Sequence, residues 1–307
     1  MKRNSSTLQI VRFPRRHRLR RVGKGILKGV FRLFGRIAPS LAAERAETLF
    51  RTPPKCAKTR FERNVLEEGT LSYVDGPAGR LATYRWGAGP AVLLVHGWGG
   101  HAGRLARFVS PLTAAGFSVV AFDAPGHGSS DRTLCSLPEI AESVRALAAE
   151  IDPFGVVGHS LGATAAALAA RDGVRFRRAV FLAPAATPEN YPGRFGRFLG
   201  MPEEGCDFMK RRLLRRYSIR WNDVSVVSFA SAMTARLLVY HDERDTRVPF
   251  REGRAIAAAW PDARLVPMRG VGHHRILRAP EVIAGTVEFL AAAAIEIPLQ
   301  PESARAS

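Results

Sequence analysis

The chain has 307 residues, 46% of them apolar, and a formal net charge of +19. That is enough for one large core with an insertion or a tail, but not for two full domains. The charge is uneven: residues 1–60 carry 17 Lys/Arg against Glu44 and Glu47, while the remainder holds 29 basic and 25 acidic residues.

Cys56, Cys135 and Cys206 lie far apart, without the paired spacing of a metal cage or a disulfide framework, so a reducing compartment is expected. Lys24, Lys28, Arg32 and Arg36 interrupt the only apolar stretch near the N-terminus. This leaves neither the roughly 18 consecutive apolar residues of a membrane span nor the uninterrupted core of a secretory signal. A cytoplasmic location follows, with peripheral membrane contact left open.

In chain order, residues 1–60 form a basic extension. A run at Arg15, Arg16, His17, Arg18, Arg20 and Arg21 precedes Lys24, Lys28, Arg32 and Arg36, which recur every four residues. Ile26, Leu27, Val30, Phe31, Phe34 and Ile37 fill the opposite positions, which predicts a basic amphipathic helix weakened by Gly25, Gly29 and Gly35. Two partners suit it: the rest of the chain, or an anionic membrane surface contacted by residues 1–40. Nucleic acid fits less well, because no recognition fold or aromatic platform accompanies the charge.

From about residue 70, β-branched runs alternate with helical patterns, the signature of a mostly parallel sheet covered by helices on both faces. Gly69–Asp75 and Arg80–Trp86, joined by Gly76-Pro77-Ala78-Gly79 without a helix, read as an antiparallel hairpin at the sheet edge. Central strands are expected at Ala91–Val95, Phe117–Asp123, Phe154–Gly158, Ala179–Leu182, Arg236–His241 and Arg264–Met268. Ser136-Leu137-Pro138-Glu139 has the spacing of a capping box before Ile140, Val144, Leu147 and Ile151, and Gly116 and Gly173 stand where helix C-caps belong.

This divides the chain into a first core segment (61–185), an insertion (186–234), a second core segment (235–295) and a disordered tail (296–307). The insertion is too long for a simple crossover. It mixes Phe195, Phe198, Met201, Met209, Leu213, Tyr217 and Trp221 with eight Arg/Lys, and a small helical lid over the active site is expected there.

The chemistry centres on Gly158-His159-Ser160-Leu161-Gly162, between a strand and an alanine-rich helix. A serine on so sharp a turn projects its hydroxyl above the sheet, and the helix N-terminus aims free N–H groups at a developing oxyanion. A hydroxyl is a poor nucleophile until a base takes its proton. Gly270-Val271-Gly272-His273-His274 supplies the base, with His273 preferred because the glycines allow a turn back toward Ser160, and His274 left as a helix-start residue. Asp245, in the loop before Val248-Pro249, is the expected orienting carboxylate; Asp242 competes, with capping of its own turn as its plain role, and Asp123 reads as a turn residue. For the oxyanion, the Leu161 amide and the Trp98 amide of His96-Gly97-Trp98-Gly99-Gly100 are the candidates, and His96 is expected to brace that loop. No metal or cofactor is called for.

With these residues in place the sequence resembles the α/β-hydrolase family, within the group of esterases, lysophospholipase-like and thioesterase-like enzymes. HGWGG at 96–100, FDAPGHGSS at 122–130, GHSLG at 158–162, DTRVP at 245–249 and GVGHH at 270–274 occur in the family's order over about residues 70–295. The resemblance implies a metal-free serine hydrolase with an acyl-enzyme intermediate and no particular substrate; a small carboxylic ester or thioester is the leading expectation. An acyltransferase, a C–C bond hydrolase, or a non-catalytic binding protein on the same fold are the alternatives.

Overall fold

The structure, a computed structural model, describes residues 15–77 and 79–294, with side chains described between residues 25 and 292. The tail expected from residue 296 lies outside the described residues, as do the side chains of the basic run at 15–21.

Helices α1 (Arg15–Ile37), α2 (Pro39–Phe50) and α3 (Arg60–Glu68) precede the strand pair β1 (Thr70–Gly76) and β2 (Gly79–Trp86). Next come β3 (Ala91–Val95), α4 (Val109–Ala114), β4 (Ser118–Phe122), α5 (Leu137–Ile151), β5 (Gly155–His159), α6 (Leu161–Arg171) and β6 (Arg178–Leu182). The inserted segment forms α7 (Asn190–Leu199), α8 (Glu203–Tyr217) and α9 (Trp221–Val224). It is followed by β7 (Arg236–Asp242), α10 (Phe250–Ala259), β8 (Ala263–Met268), α11 (Gly272–Arg275) and α12 (Pro280–Ala294).

The eight strands form one sheet in the order β1-β2-β4-β3-β5-β6-β7-β8. β1 pairs with β2, and β2 with β4, antiparallel; every other pairing is parallel. β3 to β6 are buried along their whole lengths, as strands covered on both faces must be.

Alternate residues sort to the two faces. Leu93, Val120, Phe122, Val156 and Phe181 join the α5 and α6 residues Ile140, Val144, Leu147 and Ala163 in one core cluster. Val92, Leu94, Val119, Val157 and Leu182 join Leu112 of α4 and Val282 and Leu290 of α12 in the other. Full burial of each such aliphatic or aromatic side chain contributes roughly 1.5–3 kcal/mol.

Helix punctuation follows the residues with one exchange. Gly116 and Gly173, with φ of +84° and +105°, stand past the ends of α4 and α6, in a conformation that costs glycine least. The capping box expected at Ser136 does not form: its hydroxyl donates to Glu139 Oε2 at 2.9 Å rather than accepting from the backbone. The reciprocal pair instead opens α3, where Thr59 Oγ1 accepts from Glu62 N at 3.2 Å and Glu62 Oε2 from Thr59 N at 2.7 Å.

The chain clusters into two compact units, Met1–Glu47 with Tyr191–Leu213, and Thr48–Asn190 with Leu214–Ser307. The inserted segment is therefore not one piece. Within the first unit, a Cβ at Gly196 of α7 would lie 2.6 Å from Cys206 Sγ of α8, and Arg212 Nε donates at 2.9 Å to buried Glu47. A buried carboxylate persists where such a charge-assisted partner satisfies it. Within the second unit, Val224, Val226 and Ala230 are part of the core, and the Tyr217 hydroxyl donates to Glu139 at 3.1 Å. Among the described residues no helix is long and apolar enough to cross a membrane.

Candidate active site

Three loops at the carboxyl ends of β5, β7 and β8 bring Ser160, Asp245 and His273 together. The turn after β5 is forced by close backbone approach. Ser160 sits at φ +52°, ψ −122°, a conformation that strains a residue bearing a Cβ. A Cβ at Gly158 would lie 2.5 Å from Ala163 Cα, and one at Gly162 would lie 2.4 Å from the carbonyl oxygens of Val95 and His96. Glycine on both sides of the serine lets α6 start against β3 and hold the strained residue in place.

The Ser160 hydroxyl is 3.1 Å from His273 Nε2, and His273 Nδ1 is 2.7 Å from Asp245 Oδ2. An ionised carboxylate can only accept, so Nδ1 carries the proton and Nε2 is left to take the serine's. Asp245 Oδ1 accepts from the amides of Arg247 at 2.7 Å and Val248 at 3.1 Å. Burial works against its charge, but His273 and these two amides outweigh that and hold its carboxyl below the usual aspartate value of 3.8. Gly270 and Gly272, at φ +79° and +61°, bend the loop that delivers His273. Exposed His274 stands alongside, its ring centroid 5.0 Å from that of His273.

Asp242, weighed against Asp245 for the same role, has different partners. Its Oδ1 accepts from Arg244 N at 2.8 Å, which caps its own turn, but Oδ2 accepts from Val271 N at 2.7 Å and Gly272 N at 2.9 Å. Asp242 thus ties the end of β7 to the loop that carries His273. Burial again opposes ionisation, and the amides of Gly272, Arg244 and Val271 again prevail, leaving the carboxyl below 3.8.

Two further side chains brace this region. His241 is fully buried and its Nε2–H donates to Val248 O at 3.0 Å, on the turn that holds Asp245. His159, inside the serine motif, donates Nε2–H to the carbonyl of His273 at 2.9 Å. Burial first, and then the neighbouring His273, push His159 well below its ordinary value and keep it neutral.

The loop after β3 runs beside the serine: a Cβ at Gly97 would lie 3.0 Å from His159 Nδ1 and 3.1 Å from Ser160 Cβ. Two neutral imidazoles fix its course. His96 donates Nδ1–H to Gly97 O at 2.8 Å and accepts from Ala124 N at 3.0 Å, while His127 donates Nδ1–H to Pro125 O at 2.9 Å and accepts from Gly99 N at 3.0 Å. Burial pushes His96 down to about 4 and His127 down to about 3, so both keep these tautomers near neutral pH. Asp123 accepts from the amides of Ala102 at 2.7 Å and Ser129 at 2.8 Å, the turn role expected of it. Among the described residues the Trp98 and Leu161 amides have no protein acceptor. The Trp98 ring packs edge-on to His127, 5.3 Å between centroids.

Ligand atoms of His159, His273 and His274 lie within 4.8 Å of one another. Both ring nitrogens of His273 are engaged by Asp245 and Ser160, and His159 Nε2 is engaged by a carbonyl, so the trio could close on a metal only by dismantling these bonds.

Sequence reasoning did not single out the cross-loop roles of Asp242, His159 and His127. A carboxylate or imidazole two or three residues from a motif is the available signal, but its partners lie 28 to 114 residues away.

A family model described as serine aminopeptidase, S33, matches residues 88–221. The chain is 46% identical over 86 residues to a pimeloyl-[acyl-carrier protein] methyl ester esterase of Methylococcus capsulatus, covering 28% of this chain and 33% of that protein. It is 36% identical over 119 residues to a dihydrolipoyllysine-residue acetyltransferase component of an acetoin cleaving system of Pseudomonas putida, covering 34% and 31%. The chain thus spans about a third of the length of these curated relatives. A solved esterase of Pyrococcus furiosus superposes with a TM-score of 0.61 at 20% identity, covering 78% of this chain and 98% of that one.

Proposed function

We propose, for a chain with the α/β-hydrolase fold, the hydrolysis of carboxylic esters or thioesters through an acyl-enzyme on Ser160. The observation that carries this reading is the unbroken line from Ser160 Oγ through His273 to Asp245, at 3.1 and 2.7 Å.

In this reading Ser160 Oγ attacks the acyl carbon while its proton passes to His273 Nε2. The carbonyl oxygen, now an anion, is met by the Leu161 amide at the start of α6 and the Trp98 amide. His273 then gives its proton to the leaving alcohol or thiol as the acyl–oxygen or acyl–sulfur bond breaks. A water, deprotonated by His273, adds to the acyl carbon, and the proton returns to Ser160 as the acid leaves. Asp245 keeps the imidazole in the required tautomer and offsets its charge.

Similarity to a methyl ester esterase supports an ester substrate, and similarity to an acetyltransferase component keeps acyl transfer as the second reading. A fluorophosphonate probe should label the wild type and leave Ser160→Ala unlabelled; equal labelling of both would remove the nucleophile assignment. A screen of p-nitrophenyl esters and acyl-CoA thioesters, with and without an added alcohol or amine acceptor, separates hydrolysis from transfer by its product.

A cytoplasmic location and peripheral contact of residues 1–40 with an anionic membrane complete the proposal. Free thiols at Cys56, Cys135 and Cys206 support the reducing compartment.

A further inference from the structure

Helix α1 has 23 residues, a length of about 35 Å at 1.5 Å per residue. Its described side chains divide into three arcs. Along the first, the helix meets its own unit: Phe31 is buried, a Cβ at Gly35 would lie 2.5 Å from the Pro202 ring, and one at Gly200 would lie 2.9 Å from the Lys28 carbonyl. Along the second, Lys28, Arg32 and Arg36 recur one turn apart. The third is apolar, and it faces solvent. Ile26, Val30, Leu33, Phe34 and Ile37, spaced i, i+4, i+7, i+8 and i+11, are 63%, 50%, 60%, 45% and 73% exposed, and Leu41 of α2 continues the line at 41%.

A helix lying on a protein in water ordinarily turns such a stripe inward and its charges outward. Single exposed apolar residues are commonplace; a continuous stripe rimmed by charge marks a surface with a partner. We propose that α1 is a membrane-docking helix, and that its occupant is the surface of a bilayer carrying anionic phospholipid headgroups.

Charge selects this occupant. From residue 15 to residue 43 the chain has no acidic side chain, so every charge that α1 itself sets beside the apolar stripe is a cation. A second copy of the chain would bring the same uncompensated charge to the same face, which opposes self-association through it. A bilayer interface supplies both complements at once: acyl chains for Ile26, Leu33 and Ile37, and phosphates for Lys28, Arg32 and Arg36. The structure also names the inserting residues more closely than periodicity does, since it withdraws Phe31 into the protein and adds Leu33 to the stripe. This inference deepens the membrane contact proposed above, by assigning it to α1 and naming the residues that insert, and it does not rest on the hydrolase reading.

The test is co-sedimentation of the full-length protein with vesicles of phosphatidylcholine alone and of phosphatidylcholine with phosphatidylglycerol, beside light scattering of the protein without lipid. At low ionic strength the wild type should partition at least about tenfold better onto the anionic vesicles, and added salt should erase most of the difference. Leu33→Glu/Ile37→Glu replaces two exposed side chains, so its circular dichroism should match the wild type while its partitioning falls at least about tenfold. Arg32→Glu/Arg36→Glu should abolish the preference for anionic lipid. Equal partitioning of the wild type onto both vesicles, or wild-type binding by Leu33→Glu/Ile37→Glu, overturns the proposal. So does a dimer in light scattering that Leu33→Glu/Ile37→Glu dissociates, which would assign the face to a second copy.

Discussion

The loops around Ser160 and the helix α1 treat their surroundings in opposite ways. Around the serine, polar groups are engaged with one another: Asp245 with His273, Asp242 with Val271 and Gly272, His159 with the His273 carbonyl, and His127 with Gly99. Along the described part of α1, six large apolar side chains have been left to solvent. A site that must stabilise developing charge works best when its dipoles need no rearrangement, which explains why the protein holds these carboxylates and imidazoles with partners of its own. A surface that waits for something outside the chain keeps its complement open.

The contrast can be broken first at the carboxylate. Asp245→Asn keeps the shape of the side chain but presents an amide to His273 and favours the wrong tautomer. kcat on a p-nitrophenyl ester should fall by roughly 10⁴-fold, as for other triad aspartates, with unchanged circular dichroism. Retention of more than a tenth of the activity would show that the line through Asp245 does not drive the reaction.

Second in size is Gly162→Ala. The new methyl would stand 2.4 Å from the carbonyl oxygens of Val95 and His96, so the loop bearing the Trp98 amide must retreat from α6. Loss of one oxyanion donor is worth about 10²-fold or more in kcat, and overpacking adds on the order of 1–3 kcal/mol of destabilisation. Steady-state kinetics and a denaturant melt read the two effects separately, and wild-type kcat would dissociate the Trp98 loop from the chemistry.

Third is Asp242→Asn. An amide nitrogen in place of one carboxylate oxygen would face a backbone N–H, loosening the His273 loop and costing about tenfold in kcat and about 1–3 kcal/mol of stability. The acid leg of the stability curve sharpens the point. Because the folded carboxyl titrates below 3.8, its contribution is present above that pH and fades as pH falls through the lower folded value. The variant should therefore lose less stability than the wild type on acidification below 3.8, and parallel curves would remove Asp242 from the account.

The same contrast governs what could be read from residues alone. Strands showed themselves wherever burial on both faces demanded unbroken apolar runs, as in Ala91–Val95, which is β3 to the residue. Gly158 and Gly162 showed themselves because the steric demand at Ser160 is local. Asp242 looked like a turn cap because half of its bonding is local, through Arg244, while its bonds to Val271 and Gly272 come from topology. Ser136 and Thr59 share the capping spacing, and only the tertiary setting gave one the reciprocal bonds: Ser136 instead turned to the Glu139 carboxylate, which Tyr217 also reaches. The inserted segment was legible as helical but not as divided, because nothing in its composition marks the break at Leu213.

The smallest expected effect is that of Leu33→Ala on α1, and set against Phe31→Ala it separates the two faces of one helix. Phe31 is 6% exposed and Leu33, two positions on, is 60% exposed. Removing a buried phenyl ring leaves a cavity, so Phe31→Ala should cost about 3–5 kcal/mol if its surroundings do not collapse. Leu33→Ala removes side-chain surface that water already covers and keeps a good helix former, so it should stay within about 0.5 kcal/mol of the wild type. Urea unfolding of both variants in the absence of lipid measures this directly. A loss at Leu33 comparable to that at Phe31 would mean that the apolar stripe is covered by the chain itself, and the openness of α1 that sets it apart from the Ser160 loops would be gone.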